Sequence, residues 1–294
     1  VQINPQAGQL MGSTVTGFDI DTATTAEIDE LRNAVYSHRI LVLKDQQLSP
    51  EQFIALGEAM GDIEVYYEPM YHHPEHKEIF VSGVKPGDVA QGVPQTGKFW
   101  HADYSFMAKP FGITMTYPQI VPAKNRGTYF IDMTRFFAEL EPSLQDRLRP
   151  ALSEHSPRRY FKIRPSDVYR PIGEIQAEIE RITPPVVHPA VFRHPVTGDE
   201  ILYISEAATC ELREADGTPM NGDLLKHLLD ASGQLDMSFT DPHIHLQRFV
   251  KGDLLIWDNR ALIHRALHNT QPEPSLSYRI TVNDAEPFYP GIGS

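Results

Sequence analysis

The sequence predicts a mainly β protein, an antiparallel sandwich or barrel with helices on its outside. Three observations predict it. Strand-type runs dominate the second half of the chain, while helical periodicity is confined to separate stretches that can flank a sheet system. The 294 residues, 41% of them hydrophobic, can bury one full core. No internal repeat or low-complexity linker divides the chain, so residues 1–294 read as a single domain, with a candidate lid insertion at 153–185.

The elements follow in order. Ile28, Leu31, Val35 and Tyr36 mark one face of a helix over 26–38, and Thr24 or Thr25 can cap its start. Arg39 to Lys44 reads as a strand. Ser49-Pro50-Glu51-Gln52 opens a second helix, with Ser at the cap, Pro at the first position and Gln at the third. Residues 64–98 carry Tyr, His, Pro and Gly with weak periodicity, and a strand is expected only at 78–82. The cluster His72-His73-Pro74-Glu75-His76 reads as a solvated loop, because adjacent imidazoles on a flexible loop lack the outer support a metal site needs. Strands at 112–118 and 126–132 precede a helix over 134–152, marked by Phe136, Phe137, Leu140, Leu144 and Leu148. Residues 153–185 form an irregular excursion rich in Pro and charge, hence the candidate lid. Strands at 186–193 and 200–205 flank the turn Pro195-Val196-Thr197-Gly198, and Asn221 caps a helix through Leu229. Asp253 to Trp257, Ala261 to Leu267 and Ser277 to Val282 are the closing strands, the first two joined by a turn at Asp258-Asn259-Arg260.

The charge balance excludes several partners. With 39 acidic against 26 basic residues the net charge is −13, and no dense Lys/Arg block relieves it, so nucleic acid and anionic membranes are disfavoured. A small carboxylate substrate stays compatible, because local Arg and Lys can override the global sign. The longest apolar runs, such as Ile40 to Leu43, are far too short to cross a bilayer. The single Cys210 permits no intrachain disulfide, reads as a structural residue near the pocket wall and fits a reducing cytoplasm. The run Val1-Gln2-Ile3-Asn4-Pro5 has no cationic head and no apolar core, so no signal peptide is expected, and the lack of an initiator Met is compatible with missing residues upstream. Oligomeric state is open, a homo-oligomer included.

One constellation carries chemistry. His101-x-Asp103 places two metal-ligating side chains on the same side of an extended segment. A third ligand must come from another strand, and His264 sits on the strand that follows the Asp258-Asn259-Arg260 turn. Two imidazoles and one carboxylate are the donor set that holds Fe(II) on one face and leaves the other open. Taken alone the His-x-Asp pair is weak evidence, since a chain with 13 His and 39 acidic residues produces such pairs by chance. Arg279 strengthens it: it lies fifteen residues beyond His264 on an alternating strand. An inward guanidinium needs an anion, and a chelating dicarboxylate would supply one. Trp257 is expected to be core packing beneath the ligands.

The set His101-x-Asp103, Thr128, His264 and Arg279 resembles the taurine/2,4-D (TauD/TfdA) branch of Fe(II)/2-oxoglutarate dioxygenases, over nearly the whole chain from Gly17-Phe18-Asp19-Ile20-Asp21 to the Arg279 strand. The resemblance implies a double-stranded β-helix (jelly roll), with Fe(II) held by His101, Asp103 and His264. It also implies 2-oxoglutarate gripped by Arg279 and by a hydroxyl from Thr128, which lies 27 residues after His101, and use of O₂ with decarboxylation to succinate. Within that branch the chain looks like the isonitrile-forming oxidative decarboxylases of isonitrile lipopeptide pathways. Tyr66 in Val65-Tyr66-Tyr67-Glu68-Pro69, Lys162 and Arg164 in Tyr160-Phe161-Lys162-Ile163-Arg164-Pro165, and His268 carry that likeness. It implies an N-carboxymethyl-β-amino acid substrate held by those four residues. Two other functions fit the same residues less fully: a hydroxylase of a sulfonate, sulfate ester or aryloxy-acid, and a non-catalytic cupin-like metal-binding protein, which would need neither Arg279 nor Thr128.

Overall fold

The computed structural model describes residues 1–84, 96–124, 126–159, 165–267 and 273–292. The chain opens with strands β1 (Gln2–Pro5) and β2 (Ser13–Thr16), helix α1 (Thr25–His38), β3 (Ile40–Leu43), α2 (Pro50–Met60), β4 (Asp62–Ile63) and β5 (Phe80–Val84). Both helices start where local chemistry predicts. Thr24 and Glu27 exchange hydrogen bonds at the head of α1, Ser49 and Gln52 at the head of α2, each satisfying backbone N–H groups that have no partner inside the helix.

Strands β6 (Ile113–Ile120) and β7 (Gly127–Asp132) follow, then α3 (Met133–Glu139) and α4 (Pro142–Leu148). The single helix expected over 134–152 is therefore two. Pro142 starts a new helix and excludes its predecessor from the α region, so Leu140 and Glu141 turn extended. The excursion at 153–185 is also more regular than expected. It begins on β8 (Leu152–His155) and contains α5 (Ile172–Ile182), whose isoleucines recur at helical spacing although only Ile175 is buried. Next come β9 (Val186–Pro189) and β10 (Val191–Arg193), where one strand was expected. The chain bends at Ala190, so β9 pairs with β8 and β10 with β11 (Glu200–Leu202). The remainder is β12 (Thr209–Arg213), α6 (Gly222–Ala231), β13 (Ile244–Arg248), β14 (Leu254–Asp258), β15 (Leu262–Ala266) and β16 (Ser275–Asn283). Strands β1, β2, β4, β8, β12 and β13 were not expected from the sequence.

Among the described residues the major sheet runs β1-β2-β3-β14-β6-β16-β4, with β5 added against β16, and only β2–β3 is parallel. A smaller antiparallel sheet, β13-β7-β15, faces it. Strand alternation sets the layers. Leu41, Leu43, Leu254, Ile256, Met115 and Ile280 point outward and pack against α1 and α2. Ile40, Val42, Leu255 and Trp257 point inward and meet Phe130 and Leu262 of the smaller sheet. The far face of that sheet, with Ile131 and Ile263, is covered by α3 and α6. This is the mainly β, jelly-roll architecture with flanking helices. The inner positions of β6, β16, β7 and β15 therefore share one interior, and Thr114, Arg279, Thr128 and His264 occupy them.

Two buried polar ties brace this frame. Arg260, in the β14–β15 turn, donates to both carboxylate oxygens of Asp284 (2.7 and 2.6 Å) and to the Phe288 carbonyl (3.0 Å). Gly112 backs onto this pair, and any Cβ there would overlap it. Between β8 and β9, the His155 ring bonds to the Ser153 hydroxyl at 2.9 Å, and burial together with the neighbouring His188 pushes its pKa down to about 3. An unfolded imidazole titrates near 6.5. The unfolded chain thus binds a proton that the folded chain refuses, so stability is whole above pH ~6.5 and falls by about 1.4 kcal/mol per pH unit toward pH 3. The wild type is expected to lose about 2 kcal/mol more than His155→Gln between pH 7 and pH 5 in urea unfolding. Equal losses in the two proteins would refute this.

Candidate active site

The interior between the two sheets is where the metal-ligand candidates meet. His264 lies in the middle of β15, opposite Phe130 of β7. Its ring packs against Trp257 at 4.9 Å and Phe130 at 6.0 Å. His101 lies outside any named strand but forms an antiparallel bridge to His264: each backbone N–H donates to the other's carbonyl, at 3.0 and 2.8 Å. Residues so paired point to the same side, which brings the two imidazoles to 4.2 Å between ring centroids. Asp103, two residues on, returns to that side. Its carboxylate oxygens lie 3.7 Å from His101 Nε2 and 3.8 Å from His264 Nε2. The three residues are buried, and their ligand atoms lie within 4.8 Å of one another.

The electrostatics favour a cation. Burial lowers the pKa of His101, and that of His264 further because His101 adds to it, so both rings are neutral near pH 7 and able to ligate. The His101 Nδ1 bonds to the Phe99 carbonyl at 2.8 Å, which sets the ring's orientation and turns Nε2 toward Asp103. Burial works to raise the Asp103 carboxyl, but Arg279, His264, His101 and a hydrogen bond from Thr114 together bring it below its usual range. Two neutral imidazoles and one carboxylate, buried together, fit Fe(II).

Arg279 points inward from β16, and its anion here is Asp103, which it reaches at 2.7 Å. The guanidinium also donates to the Tyr104 hydroxyl (3.1 Å) and lies 4.0 Å from the Phe80 ring centroid. Tyr66 completes an aromatic wall: its ring is 5.3 Å from both Tyr104 and Phe80 and 5.2 Å from Tyr71. Burial, helped by Tyr67, holds the Tyr66 phenol far above its ordinary pKa, and burial pushes Tyr104 up to about 12, so both are neutral hydroxyls. Thr128 shares the inner face of β7 with Phe130 and is paired with Ala266, the next inward position after His264. Lys162, Arg164 and His268 lie outside the described residues. Cys210 instead lines a separate cavity with Glu206, Met220, Leu225 and Leu229, which none of the three ligand candidates touches.

The sequence reading missed Thr114, Tyr104 and Phe80. Thr114 was legible as an inward position on an alternating strand. Tyr104 and Phe80 carried no such signal, because their contact with Arg279 depends on tertiary packing.

Residues 2–281 match the family "Taurine catabolism dioxygenase TauD, TfdA family". The chain belongs to that family. It is 28% identical over 279 residues to pentalenolactone F synthase of Streptomyces arenae, covering 90% of this chain and 89% of that one. It is 27% identical over 278 residues to the (S)-phenoxypropionate/alpha-ketoglutarate-dioxygenase of Delftia acidovorans, with the same coverage. A taurine dioxygenase structure from Burkholderia xenovorans superposes with a TM-score of 0.74 at 20% identity, covering 99% of this chain and 92% of that one, which is a likeness of fold. The protein is thus an Fe(II)- and 2-oxoglutarate-dependent dioxygenase that uses O₂. That excludes the non-catalytic cupin-like alternative.

Titration of the metal-free protein with Co(II), a spectroscopic stand-in for Fe(II), is expected to show one tight site per chain. His264→Ala should weaken it at least about 10-fold while the far-ultraviolet circular dichroism stays that of the wild type. Tight one-to-one binding that survives this substitution would place the ion elsewhere.

Proposed function

We propose that the enzyme oxidatively decarboxylates an N-carboxymethyl-β-amino acid, converting N–CH₂–COO⁻ to N≡C with loss of CO₂. The observation that carries this reading is the position of Tyr66, one of the residues of the isonitrile-forming likeness. Its ring packs against Tyr104, whose hydroxyl accepts from Arg279. Lys162, Arg164 and His268 are assigned to the substrate on the sequence likeness alone.

In this reading His101, Asp103 and His264 would hold the iron, which with 2-oxoglutarate and O₂ would supply the oxidising equivalents. The protein's own residues position and exclude. Arg279, which meets Asp103 here, would grip the C5 carboxylate of 2-oxoglutarate, since a guanidinium fork matches either anion. Thr128 adds a hydroxyl donor to the same co-substrate. Tyr66, a neutral phenol, donates to a substrate carboxylate, while Lys162 and Arg164 neutralise it. The aromatic wall of Tyr66, Tyr71, Phe80 and Tyr104 keeps water from the methylene that reacts. The excursion at 153–185 is assigned as a lid on its sequence character alone, and its first residues are fixed in β8. The N-carboxymethyl group loses four hydrogens and CO₂ on its way to the isonitrile. That is a four-electron oxidation, matched by two O₂ and two 2-oxoglutarate giving two succinate, two further CO₂ and two water.

A second reading is hydroxylation of an aryloxy-acid. It is favoured by the relative named for (S)-phenoxypropionate and by a 2,4-dichlorophenoxyacetate dioxygenase of Cupriavidus pinatubonensis, 27% identical over 293 residues. Stoichiometry separates the two. With an N-carboxymethyl-β-amino acid, the expected result is two succinate per product and an N≡C stretch in the infrared spectrum. One succinate per product, with an aldehyde or phenol released from an aryloxy-acid and no N≡C stretch, would establish the hydroxylase instead.

A further inference from the structure

We propose that Asn259 and Thr114 are positioning residues for the metal centre: the Asn259 amide fixes where Asp103 stands, and the Thr114 hydroxyl fixes how its carboxylate is turned. This rests on the reading of His101, Asp103 and His264 as the ligands.

Asp103 is the ligand candidate with the weakest support from secondary structure. His264 is inside a strand and His101 is bridged to it, but Asp103 lies in a turn, followed by Tyr104 at φ +58. That left-handed conformation is uncommon for a bulky residue and persists only where neighbours hold it. Its buried backbone groups need partners that no strand provides. Asn259 supplies them. Its Oδ1 accepts from the Asp103 N–H at 2.8 Å, and its Nδ2 donates to the Asp103 carbonyl and to the Phe111 carbonyl, both at 2.9 Å. Its own backbone N–H donates to the Gly112 carbonyl at 2.9 Å. The side chain is fully buried, so water cannot take over these bonds. The amide thus does for Asp103 what a neighbouring strand does for His101.

The location of Asn259 gives this consequence. It lies in the turn that carries the chain from β14 in the major sheet to β15 in the smaller one, five residues before His264, so one connection and the strand after it carry the third ligand, bridge the first and clamp the second. Thr114 completes the brace from the opposite sheet. It is fully buried on β6, between Trp257 of β14 and Thr281 of β16, and its hydroxyl donates to Asp103 Oδ2 at 2.9 Å. Oδ1 meets Arg279 here, so Thr114 is the side-chain donor that stays on the carboxylate when Arg279 turns to the co-substrate.

The test is Co(II) titration of the metal-free protein, with melting temperature measured in parallel, on the wild type, Thr114→Val, Thr114→Ser, Asn259→Ala and Asp103→Ala. Thr114→Val keeps the shape and removes only the donor. It is expected to bind Co(II) about 10- to 100-fold more weakly, with altered visible absorption bands and a metal-free melting temperature within a few degrees of the wild type. Thr114→Ser should regain most of the affinity. Asn259→Ala should lose as much affinity and also melt lower. Wild-type affinity in Thr114→Val overturns the proposal, whether or not Asn259→Ala folds. Wild-type affinity in folded Asn259→Ala makes the amide a structural tie and overturns its part. If Asp103→Ala itself binds Co(II) like the wild type, the ligand assignment fails, a result distinct from failure of the brace.

Discussion

The structure depends on a pair of backbone hydrogen bonds. His101 and His264 each donate to the other's carbonyl, and this exchange joins a segment with no strand of its own to the smaller sheet. Everything at the site follows from it. Antiparallel pairing puts the two imidazoles on one side, and the two-residue period returns Asp103 to that side. Because β15 is registered on β7, His264 faces the sandwich interior with Leu262, toward Phe130 and Trp257. A slip of one residue at β15 would turn Ile263 inward and His264 to the outer layer.

Burial makes the Asp103 carboxylate costly and so ties it to cations. An unpaired carboxylate there would be strongly destabilising. Arg279 is the cation that meets it in this structure, and the guanidinium is itself supported by the Phe80 and Tyr104 rings. The same surroundings hold His101 and His264 neutral. The site therefore offers a net negative charge on the protein ligands, with an adjacent cation able to turn toward an acid. A metal-dependent enzyme using a dicarboxylate co-substrate needs that combination, and family membership agrees with it.

How much of this was legible varied with how local the signal was. The caps at Thr24 and Ser49 depend on residues three apart, and both helices begin where their sequences indicate. The run Leu254 to Trp257 reads as a strand buried on both faces because each residue is apolar, and it is central in the major sheet. Strand β13 was missed because its pattern is inverted: His245 and Gln247 are buried while Ile244 and Leu246 are only half-buried. A rule that places apolar side chains inside cannot find such a strand. The helix over 134–152 was overextended because its apolar spacing continues past Pro142, whose backbone restriction outweighs the periodicity. At the site, residue types and spacing were enough to single out His101, Asp103, His264 and Arg279. The inward position of Thr114 was legible on an alternating strand, but its contact with Asp103 and that of Asn259 were not, since an Asn in a turn and a Thr in a strand have ordinary local explanations.

The central claim is that one metal ion sits between His101, Asp103 and His264. Anomalous diffraction from crystals grown with Mn(II) and an inert 2-oxoglutarate analogue, recorded at the manganese edge, tests it directly. The account predicts a single strong peak bounded by the two Nε2 atoms and an Asp103 carboxylate oxygen, with the Arg279 guanidinium turned to the analogue's distal carboxylate. A peak at other residues, or none between these three side chains at saturating metal, would contradict it.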